Sequence, residues 1–223
     1  MLADKGYDSQ AIVDAIKVKE EDMDGYRFRY RLHAQTIYTA LCQDPFYATL
    51  AKTLNNNCCQ ERLIMYMDYS MQESEEFGEL SISENWKHGA SLWLKSISNG
   101  KHKEMKRRKK HFIEKYLGPE CLGAYNSIVE FMSEKTAPFL SGNEWYLSIV
   151  GVSPEYQGQG IGQGLVDVVL QSTDKLGIGT YLETFSPRNI SFYERLGYRV
   201  AASFLDPTTQ SEYALMKRQT LQR

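Results

Sequence analysis

The chain has 223 residues, enough for one large domain or for one domain with an enlarged half. Its 26 lysine and arginine residues nearly balance its 28 aspartate and glutamate residues, so bulk attraction to nucleic acid or to an anionic membrane is not expected. A hydrophobic fraction of 42% excludes global disorder. Because no apolar stretch approaches a membrane span and the N-terminus lacks a signal-peptide pattern, we expect a cytoplasmic protein without a membrane partner.

The cysteine pattern excludes two further classes of protein. A disulfide framework typically needs more cysteines in a shorter secreted chain. The adjacent pair Cys58 and Cys59 lacks the CxxC spacing of zinc ligands. We therefore expect free thiols and no metal site.

The first residues form an atypical segment. Residues 2–16 read LADKGYDSQAIVDAI and resemble a segment of DDE-type transposases around one catalytic acid, here Asp4. Nothing downstream continues that pattern, so we interpret residues 1–22 as a fusion or mis-start remnant. This segment occupies part of the place where the first strand of the main domain is expected.

The chain up to residue 143 is predicted to be rich in helices. Apolar residues at helical spacing predict helices over 27–42 and 59–74. The first ends near Asp44-Pro45, because proline disfavours a helical residue before it. Two short strands joined by a turn, and two more helices, are predicted over 79–83, 90–94, 103–116 and 120–133.

The strongest charge run is KHKEMKRRKKH, residues 101–111. It could form a patch for nucleic acid or for an acidic partner. No aromatic residues interleave with the basic ones to stack on bases, so we favour the solvated face of a helix and expect no nucleic-acid partner.

From residue 144 onward the pattern becomes specific. The run WYLSIVGV, residues 145–152, predicts a buried central strand, and TYLET, residues 180–184, predicts another. Between them, the glycine-rich QGQGIGQG at 157–164 leads into a helix that ends near Gly177. Because glycines let backbone N–H groups approach an anion and a helix N-terminus carries partial positive charge, this order predicts a phosphate site.

A dinucleotide-binding fold is one interpretation of this phosphate site. Gly158 and Gly160 would then contact a pyrophosphate and Glu183 a ribose. However, VSPEYQ separates the strand from the glycines, and no further strand–helix repeats follow. Both features disfavour this interpretation.

A second interpretation, based on two motifs, fits the sequence better. Gln157, Gly160 and Gly162 form the pattern Q-x-x-G-x-G, and NISFYERLGY follows at 189–198. Together these resemble the acetyl-CoA loop and the later helix of GNAT-superfamily N-acetyltransferases, and residues 144–199 look most similar to puromycin N-acetyltransferase-like enzymes. The resemblance implies an α/β (α+β) fold with a central mixed, twisted sheet flanked by helices and an enlarged helical N-terminal half.

The same resemblance implies a function and a division of the chain. A single domain over 23–223 would comprise an acceptor-side half, 23–143, and an acetyl-CoA-binding half, 144–223. We expect transfer of acetyl from acetyl-CoA to a primary amine by direct attack in a ternary complex, with no metal. The acceptor would be a small molecule, such as an aminonucleoside-type drug or another amine. The alternatives are a non-catalytic acyl-CoA sensor and a peptide or protein N-acetyltransferase, and a homodimer is possible.

The resemblance also assigns residues to the co-substrate. Backbone groups near Val150 and Val152 would pair with the pantetheine arm, and Asn189 would lie near that arm or cap a helix. The loop that would hold the pyrophosphate comprises Gln157, Gly158, Gln159, Gly160, Ile161, Gly162 and Gln163.

Three residues are candidates for acid–base chemistry. Tyr193 matches the tyrosine that protonates the leaving thiolate in many family members, although an aromatic residue there could also serve packing. A base is needed because an alkyl amine with a pKa near about 10 is mostly protonated at neutral pH. Glu144, at the start of the strand WYLSIVGV, and Glu183, within TYLET, compete for this role with a water chain.

Overall fold

The structure, a computed structural model, describes residues 25–54, 58–83, 85 and 87–220. The interpretation of residues 1–22, including Asp4, lies outside them. The helices and strands within the described part are α1 (Arg31–Leu41), α2 (Pro45–Lys52), α3 (Cys59–Phe77), β1 (Gly78–Ile82), β2 (Gly89–Leu94), α4 (Asn99–Tyr116), α5 (Pro119–Thr136), β3 (Trp145–Val152), α6 (Ile161–Leu176), β4 (Thr180–Thr184), α7 (Ile190–Arg195), β5 (Arg199–Asp206) and β6 (Ser211–Arg218).

The six strands form one sheet in the order β1-β2-β3-β4-β6-β5. Only the β3–β4 pair is parallel, and the other four pairs are antiparallel. This arrangement confirms the predicted mixed sheet flanked by helices. The bounds predicted for β3 and β4 are correct, because β3 is a mostly apolar run, β4 is rich in threonine and tyrosine, and both are bordered by residues that break regular structure.

Strands β3 and β4 pair over only part of their length. The register joins Trp145 to Thr180 and ends at Leu147 and Leu182, whereas β2 remains paired with β3 as far as Val152. Beyond Leu147, the β3 edge that faces β4 therefore has no strand partner in the described register. The sheet opens at this point.

A β-bulge at Ser148 accompanies this opening. Leu92 of β2 pairs with Ile149, and Trp93 pairs with Leu147, so Ser148 is an extra residue on β3. Such a residue bends its strand, and the side chains that follow it point to the opposite faces of the sheet from those that strict alternation would give. Accordingly, Leu147 belongs to the hydrophobic cluster that includes residues of α6, whereas Ile149 belongs to the cluster built mainly by α1, α3 and α4.

The buried carboxylate of Asp68 joins the segment before α1 to α3. It accepts hydrogen bonds from the Tyr26 hydroxyl at 2.7 Å, from the backbone N–H groups of Arg29 and Tyr30, and from the Gln72 amide. Tyr30 is the N-cap residue of α1, and its own side chain makes no capping bond. Asp68 therefore accepts from the N–H of the N-cap residue of α1, the role that the N3 carboxylate of a capping box plays within a helix, and fixes the chain where α1 begins.

Two predicted features differ in the structure. The helix predicted over 27–42 begins only at Arg31, and an unpredicted helix, α2, begins at Pro45. Proline is favoured at the first helical position, where no N–H is needed, and the Asp44 side chain caps this helix by accepting from the Phe46 N–H at 3.0 Å. The same proline that ends one helix thus starts the next.

The basic run on α4 is largely paired with acidic residues. Arg108 binds Glu76 of α3, and Lys110 lies 3.4 Å from Glu130 of α5. The prediction of a solvated face is wrong for Lys109, which is 5% exposed and donates to Ser70 at 2.7 Å. These contacts attach α4 to its neighbours.

Among the helices of the described part, none has the length and apolar character that a membrane span requires.

Candidate active site

The glycine-rich segment forms the turn between β3 and α6. Gly158 and Gly160 both have φ of +78°, a left-handed conformation that side chains with a Cβ disfavour. Gly160 is the N-cap residue of α6. The N–H groups of Ile161, Gly162 and Gln163 open the helix and have no acceptor in a preceding turn, so they can bind an anion together with the helix dipole.

The side chain of Gln157 fixes this turn to the strand before it. Its amide Nε2 donates to the Val152 carbonyl at 2.9 Å. Val150 and Val152 lie on the part of β3 that is no longer paired with β4, which is where the family resemblance places the pantetheine arm. The phosphate-binding turn and the free strand edge are therefore contiguous.

A cavity of about 740 Å³ lies beside the opening in the sheet. Its walls include residues of the bulged part of β3, of the segment before α7, and of the helices α2 to α5. Several tyrosine side chains lie on the wall, among them Tyr47, Tyr66, Tyr125, Tyr146 and Tyr181. Such a volume is in the range of pockets for drug-sized ligands.

Asn189 and Tyr193 lie on the cavity wall near the opening. Asn189 is the N-cap residue of α7, but its side chain makes no capping hydrogen bond, so its amide is not committed to that role. Tyr193 is buried, and its ring contacts Phe192 and Tyr198 edge-on. Burial raises the pKa of the Tyr193 phenol, with smaller contributions from Tyr198 and Asp44, so the phenol keeps its proton at neutral pH.

Glu183 projects from β4 into the same cavity. Its Oε1 accepts a hydrogen bond of 2.5 Å from the Thr136 hydroxyl, and the Tyr146 hydroxyl is a second partner. Burial raises the pKa of Glu183, and the hydrogen bonds from Thr136 and Tyr146 lower it in part. A carboxylate in this environment is a stronger base than one in water.

Glu144 also lines the cavity, but its carboxylate is engaged by the loop before β3. It accepts from the backbone N–H and hydroxyl of Ser141 and from the Gly142 N–H, all at 3.0–3.1 Å, and lies 3.5 Å from the Lys217 ammonium. Burial acts to raise the pKa of Glu144, yet the bonds from Ser141 and the charge of Lys217 outweigh it, and the pKa lies below its usual value.

Some residues of the cavity carry no sequence signal. Thr136, at the end of α5, and Tyr146, on β3, hold Glu183, while Tyr47 of α2 faces the cavity from a helix that the sequence did not predict. Thr136 and Glu183 are 47 residues apart. No local pattern links residues at that distance, so only the folded chain shows that they meet.

Comparison with known proteins agrees with this geometry. The acetyltransferase (GNAT) family profile matches residues 84–198, just over half of the chain. This chain belongs to the GNAT acetyltransferase family. It is therefore an acetyl-CoA-dependent acetyltransferase, as the glycine turn and the opened sheet predict.

A solved structure shows the same fold. A protein of Corynebacterium glutamicum, described as histone acetyltransferase HPA2 and related acetyltransferase, superposes with a TM-score of 0.58 at 18% identity and covers 86% of this chain and 92% of its own. Shorter matches include the ribosomal-protein-S18-alanine N-acetyltransferase of Escherichia coli, with a TM-score of 0.31, 24% identity and 36% and 57% coverage. Nourseothricin acetyltransferase matches with a TM-score of 0.32, 17% identity and 35% and 51% coverage.

Proposed function

We propose that this GNAT acetyltransferase moves the acetyl group of acetyl-CoA to the primary amine of a small molecule by direct attack in a ternary complex. One observation carries the proposal: the cavity adjoins the opened edge of β3 and has both Glu183 and Tyr193 on its wall. Co-substrate, base and acid would therefore share one cavity.

Acetyl-CoA would bind along a path from the start of α6 to the free edge of β3. The N–H groups of Ile161, Gly162 and Gln163 would bind the pyrophosphate at the start of α6. The pantetheine arm would then pair with the free edge of β3 near Val150 and Val152, as an added strand does. This path leads the thioester toward Tyr193.

Glu183 is our proposed base. The attacking amine must lose a proton to be nucleophilic, and the Glu183 carboxylate faces the cavity in surroundings that raise its pKa. Glu144 is the weaker candidate, because its oxygens already accept bonds from Ser141 and Gly142. We therefore assign Glu144 to holding the loop before β3.

Tyr193 is our proposed acid. The amine nitrogen attacks the thioester carbonyl carbon, the C–S bond breaks, and coenzyme A leaves as a thiolate. The amine proton passes to Glu183, and the phenol of Tyr193 donates a proton to the sulfur. The position of Tyr193 on α7, beside the opened edge of β3, supports this role.

The wall of the cavity supports a small cationic acceptor. Tyrosine rings attract ammonium groups through their faces, and the carboxylates of Asp44 and Glu183 lie on the wall. The wall also carries lysines, of which Lys109 is paired with Glu73 and Lys110 with Glu130. The similarity of residues 144–199 to puromycin-type enzymes makes an aminonucleoside-type drug one candidate. Membership in a catalytic family leaves the sensor hypothesis without support.

An amine panel tests the proposal through release of the coenzyme A thiol. With an accepted amine, double-reciprocal plots at several acetyl-CoA concentrations should intersect, because both substrates are bound before chemistry. Glu183→Gln should lower kcat/KM by about 10²-fold or more, while the matched control Glu144→Gln retains most activity. Turnover of peptides alone would replace the small-molecule acceptor with a peptide, and the opposite ranking of the two variants would reverse the base assignment.

A further inference from the structure

Glu183 is held by two side chains that lie outside both family motifs. Thr136 donates from the last residue of α5 to Oε1 of Glu183 at 2.5 Å, and Tyr146 contacts the same carboxylate from β3. The three residues come from three different elements. All of them line the cavity that also includes Tyr193.

The geometry of both donors is constrained. Thr136 is 4% exposed, and its branched side chain has few rotamers, so the direction of its hydroxyl is well defined. The ring of Tyr146 stacks on that of Tyr181, with centroids 4.8 Å apart and planes inclined by 23°. A carboxylate bound by two such donors has little freedom to rotate out of the cavity.

The ionisable groups around Glu183 are neutral, and this makes the two hydrogen-bond donors important. The ionisable groups that face it are phenols: Tyr181 on its own strand, Tyr146 on β3 and Tyr213 on β6. Burial raises the pKa of all three, so they are neutral at ordinary pH. Within the described part of the chain, the influences that lower the pKa of Glu183 are the hydrogen bonds from Thr136 and Tyr146.

We propose that Thr136 is a positioning residue for acetyl transfer: its hydroxyl keeps the Glu183 carboxylate directed into the cavity and in its ionised form. This inference rests on the proposed function, in which Glu183 is the base. Thr136 itself neither gives nor takes the proton of the amine. It acts by donating a hydrogen bond that favours the charged form of its neighbour.

The test is the pH profile of kcat/KM in Thr136→Val, which replaces the hydroxyl by a methyl group of similar shape. The base must be ionised to act, so activity falls as the pH drops through the pKa of Glu183. Losing a donor to the charged form raises that pKa, and the acid limb should move to higher pH by about 1 unit or more. Thr136→Ser keeps the hydroxyl and should restore the wild-type limb.

Two further readouts separate the possible failures. A Thr136→Val profile that is lowered equally at every pH would mean a structural role only and would overturn the inference, with Thr136→Ala as the second variant if valine disturbs folding. In the Glu183→Gln variant, residual activity should lose the acid limb. If that limb persists in Glu183→Gln, the base assignment fails, and the inference about Thr136 fails with it. The affinity for acetyl-CoA should be unchanged in the Thr136 variants and in Glu183→Gln.

Discussion

At the scale of single residues, burial decides what each ionisable group can do. Burial raises the pKa of both Tyr193 and Glu183. The same effect keeps the phenol neutral until the thiolate forms and makes the carboxylate a stronger base. Glu144 differs because its hydrogen bonds from Ser141 stabilise the charged form. Two glutamates in one cavity thus acquire different chemistry from their neighbours.

Removing the Tyr193 hydroxyl should affect chemistry rather than binding. In Tyr193→Phe the ring still fills its place between Phe192 and Tyr198, so acetyl-CoA affinity should stay within about twofold of wild type. Turnover on the accepted amine should fall by about 10²-fold or more, because the thiolate leaves without its proton donor. Steady-state kinetics and a direct binding titration check both parts.

Tyr198→Phe is the matched control for this prediction. The Tyr198 hydroxyl is also buried, but its partner is the Thr180 hydroxyl at 2.9 Å. Its loss should lower the melting temperature and leave turnover near the wild-type value. Equal turnover in Tyr193→Phe and wild type would remove Tyr193 from the mechanism.

At the scale of elements, the site depends on two departures from regular structure. The bulge at Ser148 bends β3 just after its last pair with β4, and this opens the strand edge. The left-handed Gly160 then turns the chain into α6 and presents the first N–H groups of that helix. The free edge of β3 and the N-terminus of α6, both with unused hydrogen-bonding groups, thereby lie next to each other.

Replacing Gly160 should weaken binding of acetyl-CoA. At φ of +78° a residue with a Cβ costs about 1–2 kcal/mol, and a branched side chain is disfavoured further, so the Gly160→Val turn should change shape. We expect the Kd for acetyl-CoA to rise at least about tenfold, measured by calorimetric titration.

The control for this variant is Gly164→Ala on the first turns of α6. A Cβ at Gly164 meets no atom within 4 Å, and alanine is a better helix former than glycine. Affinity should be unchanged and thermal stability equal or higher. If both variants bind acetyl-CoA as tightly as wild type, the turn is not the pyrophosphate site.

At the scale of the whole molecule, the two halves of the chain share one sheet. Strand β2 of the earlier half pairs with β3 of the later half, and β1 adds to the sheet by pairing with β2. We propose that the earlier half, residues 23–143, forms most of the acceptor wall and that residues 144–223 bind acetyl-CoA, because the cavity lies between α2 to α5 and the later strands. The expected homodimer stays a prediction.

Because the two halves share one sheet, the chain should unfold in one cooperative transition. Its melting temperature should rise when acetyl-CoA binds. A ligand at 100 times its Kd adds about 2.7 kcal/mol, which raises the melting temperature of a chain of this size by roughly 5–11 °C. Differential scanning fluorimetry with acetyl-CoA, and with NAD as the control, measures this. No shift with acetyl-CoA would contradict the assignment of the co-substrate site.

The sequence alone determined the parts of this protein that depend on neighbours along the chain. The strands β3 and β4 and the glycine turn could be identified because φ preferences and apolar patterns act over a few residues. The NISFYERLGY segment could be identified through its resemblance to a family motif. The same local patterns missed α2, β5 and β6.

Only the tertiary structure decided how the candidate residues are used. Glu144 and Glu183 have equal standing in the sequence, and their difference comes from Ser141, Thr136 and Tyr146. The bulge at Ser148 likewise appears only in the pairing with β2. Hydrogen bonding, burial and strand register join residues that are tens of positions apart, and no pattern within a short segment contains that information.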